Sequence, residues 1–127
     1  MYELKVVTRF AAAHQLKMVT EKCENLHGHN WRIEVFVAGP ELDHSGVLVD
    51  FGVIKKHLAE IIDALDHKFL NELEFFKNAN PSSENIARYI TLSLQSSLTD
   101  YPGLRISRVS VWESDDACAT FYNSDAA

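Results

Sequence analysis

The chain has 127 residues, 46% hydrophobic and 24% charged, a composition typical of one globular domain, and we predict a single domain over residues 1–127. The net charge of −6, without a block of lysine or arginine, excludes nucleic acid and anionic membrane surfaces as expected partners. Two cysteines, no apolar run of membrane-spanning length and no signal-peptide pattern at the N-terminus predict a cytoplasmic protein.

The N-terminal third of the sequence predicts two strands joined by a loop. Residues 2–14 alternate, with apolar side chains on one face and charged ones on the other, as in a half-buried strand. Residues 15–26 are polar and irregular, and loops of that length in compact domains are often functional. Residues 27–38 alternate again, and Gly39-Pro40 ends the second strand.

Two amphipathic helices are predicted next. Asp50 can serve as an N-cap, and apolar residues recur at helical spacing over 51–65. A second helix begins near residues 80–84, where Asn-Pro-Ser-Ser-Glu combines capping side chains, a proline in the first turn and an early glutamate. The Tyr-Pro-Gly sequence at 101–103 ends it.

Residues 104–113 and 117–122 predict two further strands around a polar turn. The element order is thus β-β-α-α-β-β, and strands that are neighbours in sequence should pair antiparallel. We therefore predict an α+β domain, with a four-stranded antiparallel sheet and two helices on one face. The two open edges of such a sheet predict association with further copies of the chain.

Three histidines predict a metal site. His27 and His29 lie two apart on a strand, so both imidazoles point to the face that carries Trp31. Neutral imidazoles are ligands for zinc, and His14 comes close to this pair if the first two strands form a hairpin. Three imidazoles leave a fourth position free, as in catalytic zinc sites. Taken singly, each histidine is more readily explained as a solvated or capping side chain.

Cys23 precedes His27 by four residues, so its thiol would lie near a metal bound there. Such a thiol can act as a base, close the site as a fourth metal ligand, or be an ordinary loop cysteine.

Two further candidates carry carboxylates. Asp66-His67 follows the first helix, where the helix dipole favours an imidazole; the pair can also transfer protons. Glu113 ends the third predicted strand, either solvated or free to bind two adjacent N–H donors.

Five motifs, in this order and at this spacing, resemble the 6-pyruvoyltetrahydropterin synthase family over nearly the whole chain. They are Phe10-Ala11-Ala12-Ala13-His14, Cys23 with His27-Gly28-His29-Asn30, the segment Leu65 to Asn71, the segment Asn80 to Asn85, and Val111-Trp112-Glu113. The three-residue gap between Cys23 and His27 is similar to that of the 6-carboxytetrahydropterin synthase branch.

The resemblance implies the tunnelling fold, in which sheets of several subunits join edge to edge, and a homohexamer built as a dimer of trimers. It implies a Zn2+ ion held by His14, His27 and His29. It also implies proton transfer by Cys23, Asp66 and His67, and a pterin ring anchored by Glu113. Ser82 and Ser83 would line the pterin pocket, in a segment where the family often has threonine.

The implied activity converts 7,8-dihydroneopterin triphosphate to 6-carboxy-5,6,7,8-tetrahydropterin, with release of acetaldehyde and triphosphate, in 7-deazaguanine and queuosine biosynthesis. Three alternatives stay open. The enzyme could eliminate triphosphate to give 6-pyruvoyltetrahydropterin. The chain could be a non-catalytic oligomer that binds zinc and a pterin. It could also hold a structural zinc ion with Cys23 as the fourth ligand.

Overall fold

Alternating apolar residues form two long strands, β1 (Tyr2–His14) and β2 (His27–Gly39). They pair antiparallel along their whole length, so that the last residue of β1 lies opposite the first residue of β2. This computed structural model describes residues 1–17 and 25–124. Both predicted strands agree with the structure to within one residue.

The sheet contains five strands in the order β3-β1-β2-β4-β5. β4 (Arg105–Ser114) pairs antiparallel with β2, and β5 (Ala117–Tyr122) pairs antiparallel with β4. β3 (Lys68–Phe69) pairs with β1 in the parallel sense. The prediction of a four-stranded, purely antiparallel sheet is therefore wrong, and the sheet is mixed. A strand of two residues is too short to leave a periodic pattern in the sequence.

The two predicted helices are α1 (Phe51–Asp63) and α2 (Ser83–Ser97). The side chain of Asp50 accepts a hydrogen bond from the backbone N–H of Gly52 at 2.7 Å, which caps α1 as its sequence predicts. α1 ends two residues before the predicted boundary. β3 and two short 3-10 turns, over 70–72 and 74–76, separate it from α2.

One apolar core lies between the sheet and the helices, and it includes Phe10, Trp31 and Val35 from the covered face of the sheet. α1 contributes Ile54, Leu58 and Ile62, and α2 contributes Ile86, Ile90 and Leu94. Both helices therefore pack on one face of the sheet. None of the helices within the described ranges is long and apolar enough to cross a membrane.

Candidate metal centre

Four side chains converge at the end of the sheet where β1 ends and β2 begins. The ladder pairs His14 with His27, and their Nε2 atoms lie 3.0 Å apart. Glu113 reaches the same point from β4, with Oε1 2.7 Å from His29 Nε2 and 3.5 Å from His14 Nε2. One ligand atom from each of the four residues lies within 4.8 Å of the others.

Backbone carbonyls set the tautomers of two of these histidines. Nδ1 of His14 lies 2.8 Å from the carbonyl oxygen of Pro81, and Nδ1 of His27 lies 2.8 Å from that of Asn25. A carbonyl oxygen can only accept, so each Nδ1 carries a proton, and the neutral form of each ring presents an Nε2 lone pair. Both lone pairs therefore point into the cluster. Histidine ligands in metal sites are commonly oriented in this way, by a hydrogen bond from the ring nitrogen that does not bind the metal.

These atoms form an arrangement that a cation stabilises. Two unprotonated nitrogens and a carboxylate oxygen facing one another at 3.0 to 3.8 Å repel each other unless positive charge lies among them. The nitrogen separation is also close to the roughly 3.3 Å expected between neighbouring ligands at Zn–N distances of about 2.0–2.1 Å. The donor set of His14, His27, His29 and Glu113 thus fits a bound metal ion.

The cluster lies against an apolar wall and opens on its other side. The ring of Trp31 is fully buried and contacts the rings of His14 and His29 edge to face, at centroid distances of 5.0 and 5.2 Å. The side chain of His14 is 1% exposed, whereas those of His27 and Glu113 are each 35% exposed. A metal ion here would be held from the core side and approached from the side of His27 and Glu113.

Asp66 and His67 lie on the open edge of β1. The backbone N–H of Ala11 donates to Asp66 Oδ1 at 2.9 Å, and the N–H of His67 donates to the carbonyl of Ala11. Asp66 Oδ2 lies 3.0 Å from His67 Nδ1, so the carboxylate contacts both the backbone and the imidazole. His67 has the left-handed backbone conformation, with φ of 58°, and its side chain is 81% exposed. The predicted pair is therefore anchored, with its imidazole facing solvent.

The remaining predicted site residues lie in different surroundings. Ser82 is the N-cap of α2, and its hydroxyl accepts from the N–H of Asn85 at 3.1 Å. Ser83 is the first residue of the helix and is partly buried. Cys23 lies outside the described residues, so its predicted role stays a prediction.

Two features of the site were not anticipated from the sequence. The family resemblance implies only a pterin-binding role for Glu113, whereas its carboxylate contacts the histidine cluster. The carbonyls of Pro81 and Asn25, which orient the rings, carry no side-chain signal that a sequence could reveal. Only the strand-end position of Glu113, on the face of Val111, pointed toward the same end of the sheet.

Fold and site together define an α+β protein with a histidine-rich cluster that could hold a metal ion. The 6-pyruvoyl tetrahydropterin synthase family matches residues 3–124, so the chain belongs to this family. A 6-carboxy-5,6,7,8-tetrahydropterin synthase from Synechocystis sp. is 36% identical over 119 residues, covering 90% of this chain and 88% of that protein. The predictions of the family and of a lyase-type enzyme similar to 6-carboxytetrahydropterin synthase are confirmed.

Two further similarities bear on the activity and the fold. A dihydroneopterin monophosphate aldolase from Pyrococcus furiosus is 37% identical over 108 residues, covering 84% of this chain and 85% of that protein. The solved 6-pyruvoyl tetrahydropterin synthase of Caenorhabditis elegans superposes with a TM-score of 0.85 at 27% identity, covering 97% of this chain and 96% of that one. The architecture is thus that of the family.

Proposed function

We propose that this enzyme is a zinc-dependent 6-carboxytetrahydropterin synthase that acts on 7,8-dihydroneopterin triphosphate in the cytoplasm, as a single-domain subunit of a homohexamer. Its products would be 6-carboxy-5,6,7,8-tetrahydropterin, acetaldehyde and triphosphate, and the product would enter 7-deazaguanine and queuosine biosynthesis. The convergence of three imidazoles and Glu113 at one end of the sheet is the observation that carries this proposal. The similarity to a protein of that name over 90% of the chain supports it.

His14, His27 and His29 would hold the zinc ion, because their rings converge and two of them are oriented by carbonyls behind them. The bound ion would supply Lewis acidity that favours loss of protons from the hydroxylated side chain of the substrate. The histidines themselves would hold the ion on the side of the site where the buried ring of Trp31 excludes water. They would therefore stay neutral and act as ligands, not as acids or bases.

Glu113 would bind the pterin ring. A carboxylate accepts two parallel hydrogen bonds from adjacent N–H donors, and the amino group and ring N–H of a pterin form such an edge. Its partly exposed position at the mouth of the cluster suits that role. The Glu113 carboxylate would thus bind the substrate, and the three histidines would be the protein ligands of the metal.

Cys23, Asp66 and His67 would move protons. As a thiolate, Cys23 would remove a proton from the substrate side chain, and the Asp66–His67 pair would serve as the acid and base partner. The 3.0 Å contact to the carboxylate gives His67 a fixed partner for the charge that its ring gains on protonation. Ser82 and Ser83 would line the pterin pocket. Loss of protons from the side-chain carbons would pass their electron pairs into the ring, so the side chain would be oxidised as the dihydropterin ring is reduced, and no external hydride donor would be needed.

A product assay tests the reaction. Purified zinc-loaded enzyme is incubated with 7,8-dihydroneopterin triphosphate, and acetaldehyde and the pterin products are measured by mass spectrometry. Stoichiometric acetaldehyde and 6-carboxytetrahydropterin support the proposal, whereas 6-pyruvoyltetrahydropterin without acetaldehyde would replace it with triphosphate elimination. Dihydroneopterin monophosphate is assayed in parallel, because one relative is named an aldolase for that substrate. Turnover of the monophosphate alone would contradict the proposal.

Two variants separate an enzyme from a binding protein. We expect Cys23→Ala to abolish turnover while zinc and pterin binding persist. If Cys23 is instead the fourth ligand of a structural zinc ion, that variant should lose zinc.

We expect Glu113→Gln to weaken pterin binding and to leave zinc affinity within about threefold, because the proposed role of its carboxylate is to bind the substrate. A fall in zinc affinity of more than about 100-fold, the effect expected for loss of a ligand, would show that Glu113 is itself a metal ligand.

A further inference from the structure

One backbone edge of β1 continues beyond its last paired residue, and two asparagine side chains take the place of a neighbouring strand. The N–H of Gln15 donates to Asn71 Oδ1 at 2.9 Å, and Asn71 Nδ2 donates to the carbonyl of Gln15 at 2.6 Å. Two residues further on, the N–H of Lys17 donates to Asn80 Oδ1 at 2.8 Å, and Asn80 Nδ2 donates to the carbonyl of Lys17 at 2.7 Å. We call these four hydrogen bonds the asparagine clamps.

The clamps follow from the chemistry of the carboxamide. An asparagine side chain carries one carbonyl acceptor and an NH2 donor, so it can pair with the N–H and C=O of a single residue as a peptide group does. In an extended chain the backbone groups of residues two apart point to the same edge. Ala11 already uses this edge for Asp66 and His67, so Gln15 and Lys17 extend the same row.

Both clamps hold the chain that follows the buried His14, and one of them also adjoins the carbonyl that orients the ring. Gln15 directly follows His14, so the Asn71 clamp holds the backbone next to that residue. Asn80 directly precedes Pro81, whose carbonyl oxygen accepts a hydrogen bond from His14 Nδ1 at an N–O distance of 2.8 Å. The carbonyl of Asn80 itself accepts from the side chain of Asn85 at 2.8 Å, which ties this segment to the first turn of α2.

We propose that Asn71 and Asn80 are positioning residues for the metal centre. They hold the chain after His14 and the carbonyl of Pro81 in a fixed relation, and so keep the Nε2 atom of His14 aimed at the cluster. Neither asparagine contacts the cluster directly among the described residues. The inference rests on the proposed metal site and adds the residues that orient its most buried ligand.

The test uses Zn2+ alone as the probe, with affinity measured by competition against a chromogenic chelator. Leucine has the same number and branching of side-chain heavy atoms as asparagine and no hydrogen-bonding atoms, so the variants are Asn71→Leu, Asn80→Leu and the double substitution. We expect each single variant to bind Zn2+ about tenfold more weakly, at the low end of the roughly 10–100-fold found for residues behind metal ligands. Far-UV circular dichroism establishes that each variant is folded.

Asn78→Leu is the matched control. It makes the same change in the same segment, and Asn78 is exposed, with no side-chain hydrogen bond in the described part of the chain. If a leucine variant does not fold, Asn80→Asp gives the test, because aspartate keeps the acceptor for Lys17 N–H and loses the donor to its carbonyl. A second readout is the ring tautomer of His14 in the metal-free protein, from nitrogen NMR. The Nδ1-protonated form should lose population in the Asn80 variants.

The outcomes separate the two proposals. Wild-type protein that binds no Zn2+ would overturn the proposed metal site, and this inference with it. Wild-type binding with equal affinity in the clamp variants would overturn the inference alone, and so would an equal loss in Asn78→Leu. Weaker binding confined to the clamp variants, together with a changed His14 tautomer in the Asn80 variants, is the result that we expect.

Discussion

Hydrogen bonds made behind the histidine rings determine what the rings can bind. The carbonyls of Pro81 and Asn25 accept hydrogen bonds from the Nδ1–H groups of His14 and His27, so both Nε2 lone pairs face the same small volume. Without these carbonyls each ring could place its proton at Nε2, where it would oppose a metal ion. The fit of the cluster to a metal ion therefore depends on its backbone surroundings as much as on its side chains.

His27→Ala should remove most of the metal affinity. Residues behind ligands already contribute about 10–100-fold to affinity, so loss of one of three imidazole ligands should weaken Zn2+ binding by more than about 100-fold. Chelator competition and metal analysis after gel filtration measure this effect. His44→Ala, an equivalent change at an exposed loop position, is the control and should leave the zinc content unchanged. Full zinc occupancy in His27→Ala would contradict the three-histidine site.

Asp66 carries a pH dependence of stability. The N–H of Ala11 donates to its carboxylate and, with help from His67, holds the pKa of Asp66 below its ordinary value of 3.8. The unfolded chain thus binds this proton more tightly than the folded chain. The ionised carboxylate stabilises the fold above about pH 4, and this contribution is lost as the pH falls below 3.8 through the folded-state pKa.

Asp66→Asn should therefore lower the free energy of unfolding at pH 7 and at pH 5, and its difference from wild type should shrink at pH 3. Urea unfolding at the three pH values measures this difference. Asp63→Asn is the control, because Asp63 is an exposed residue at the end of α1. A difference of unchanged size at pH 3 would show that the charge of Asp66 is not the cause.

At the scale of elements, the start of α2 combines a structural role with a proposed functional one. Ser82 caps the helix by accepting from Asn85 N–H, and it also belongs to the segment proposed to line the pterin pocket. Ser82→Ala should lower the free energy of unfolding by about 1 kcal/mol, the typical effect of losing an N-cap hydrogen bond.

Ser83→Ala is the comparison for that prediction, because Ser83 is the first helical residue and not the cap. Its effect on stability should stay within about 0.5 kcal/mol, as for most substitutions away from such features. Thermal and urea unfolding measure stability, and KM for the pterin substrate measures the functional role separately. Equal destabilisation by the two substitutions would contradict the capping assignment.

At the scale of the whole molecule, both edges of the sheet are open to pairing. β3 pairs with β1 at Ala12 and Ala13, and Asp66 and His67 bond to Ala11, so the edge of β1 before Ala11 and the outer edge of β5 have no neighbouring strand among the described residues. Two different edges on one chain can join head to tail, and such contacts form a closed ring when the rotation between subunits allows it. This geometry is consistent with the proposed trimers of a hexamer.

Val7→Pro should weaken this association. Ala11 directs its backbone groups to the β3 side, so Val7, four residues earlier, directs its own to the same open edge, and proline there removes no hydrogen bond to β2. Sedimentation should show wild type near six times 14.4 kDa and the variant as smaller species. Val7→Thr is the control. A monomeric wild type, or a proline variant that stays hexameric, would contradict this edge contact.

The helices, the four longer strands and the grouping of His14, His27 and His29 at one end of the sheet could all be predicted from the sequence. Alternation in β1 and β2, capping at Asp50 and the spacing of His27 and His29 are local signals, because each reflects the geometry of a few consecutive residues. These signals, with the order of the five motifs, were enough to predict the class of fold and the family.

Only the tertiary structure decided how distant segments meet. The parallel pairing of β3, the clamp of Asn71 on Gln15 and the hydrogen bond of Asp66 to Ala11 join residues about 55 positions apart. The contact of Glu113 with the histidines spans a greater distance in sequence. Such contacts depend on how helices and loops return the chain to the sheet, and no local pattern encodes that path.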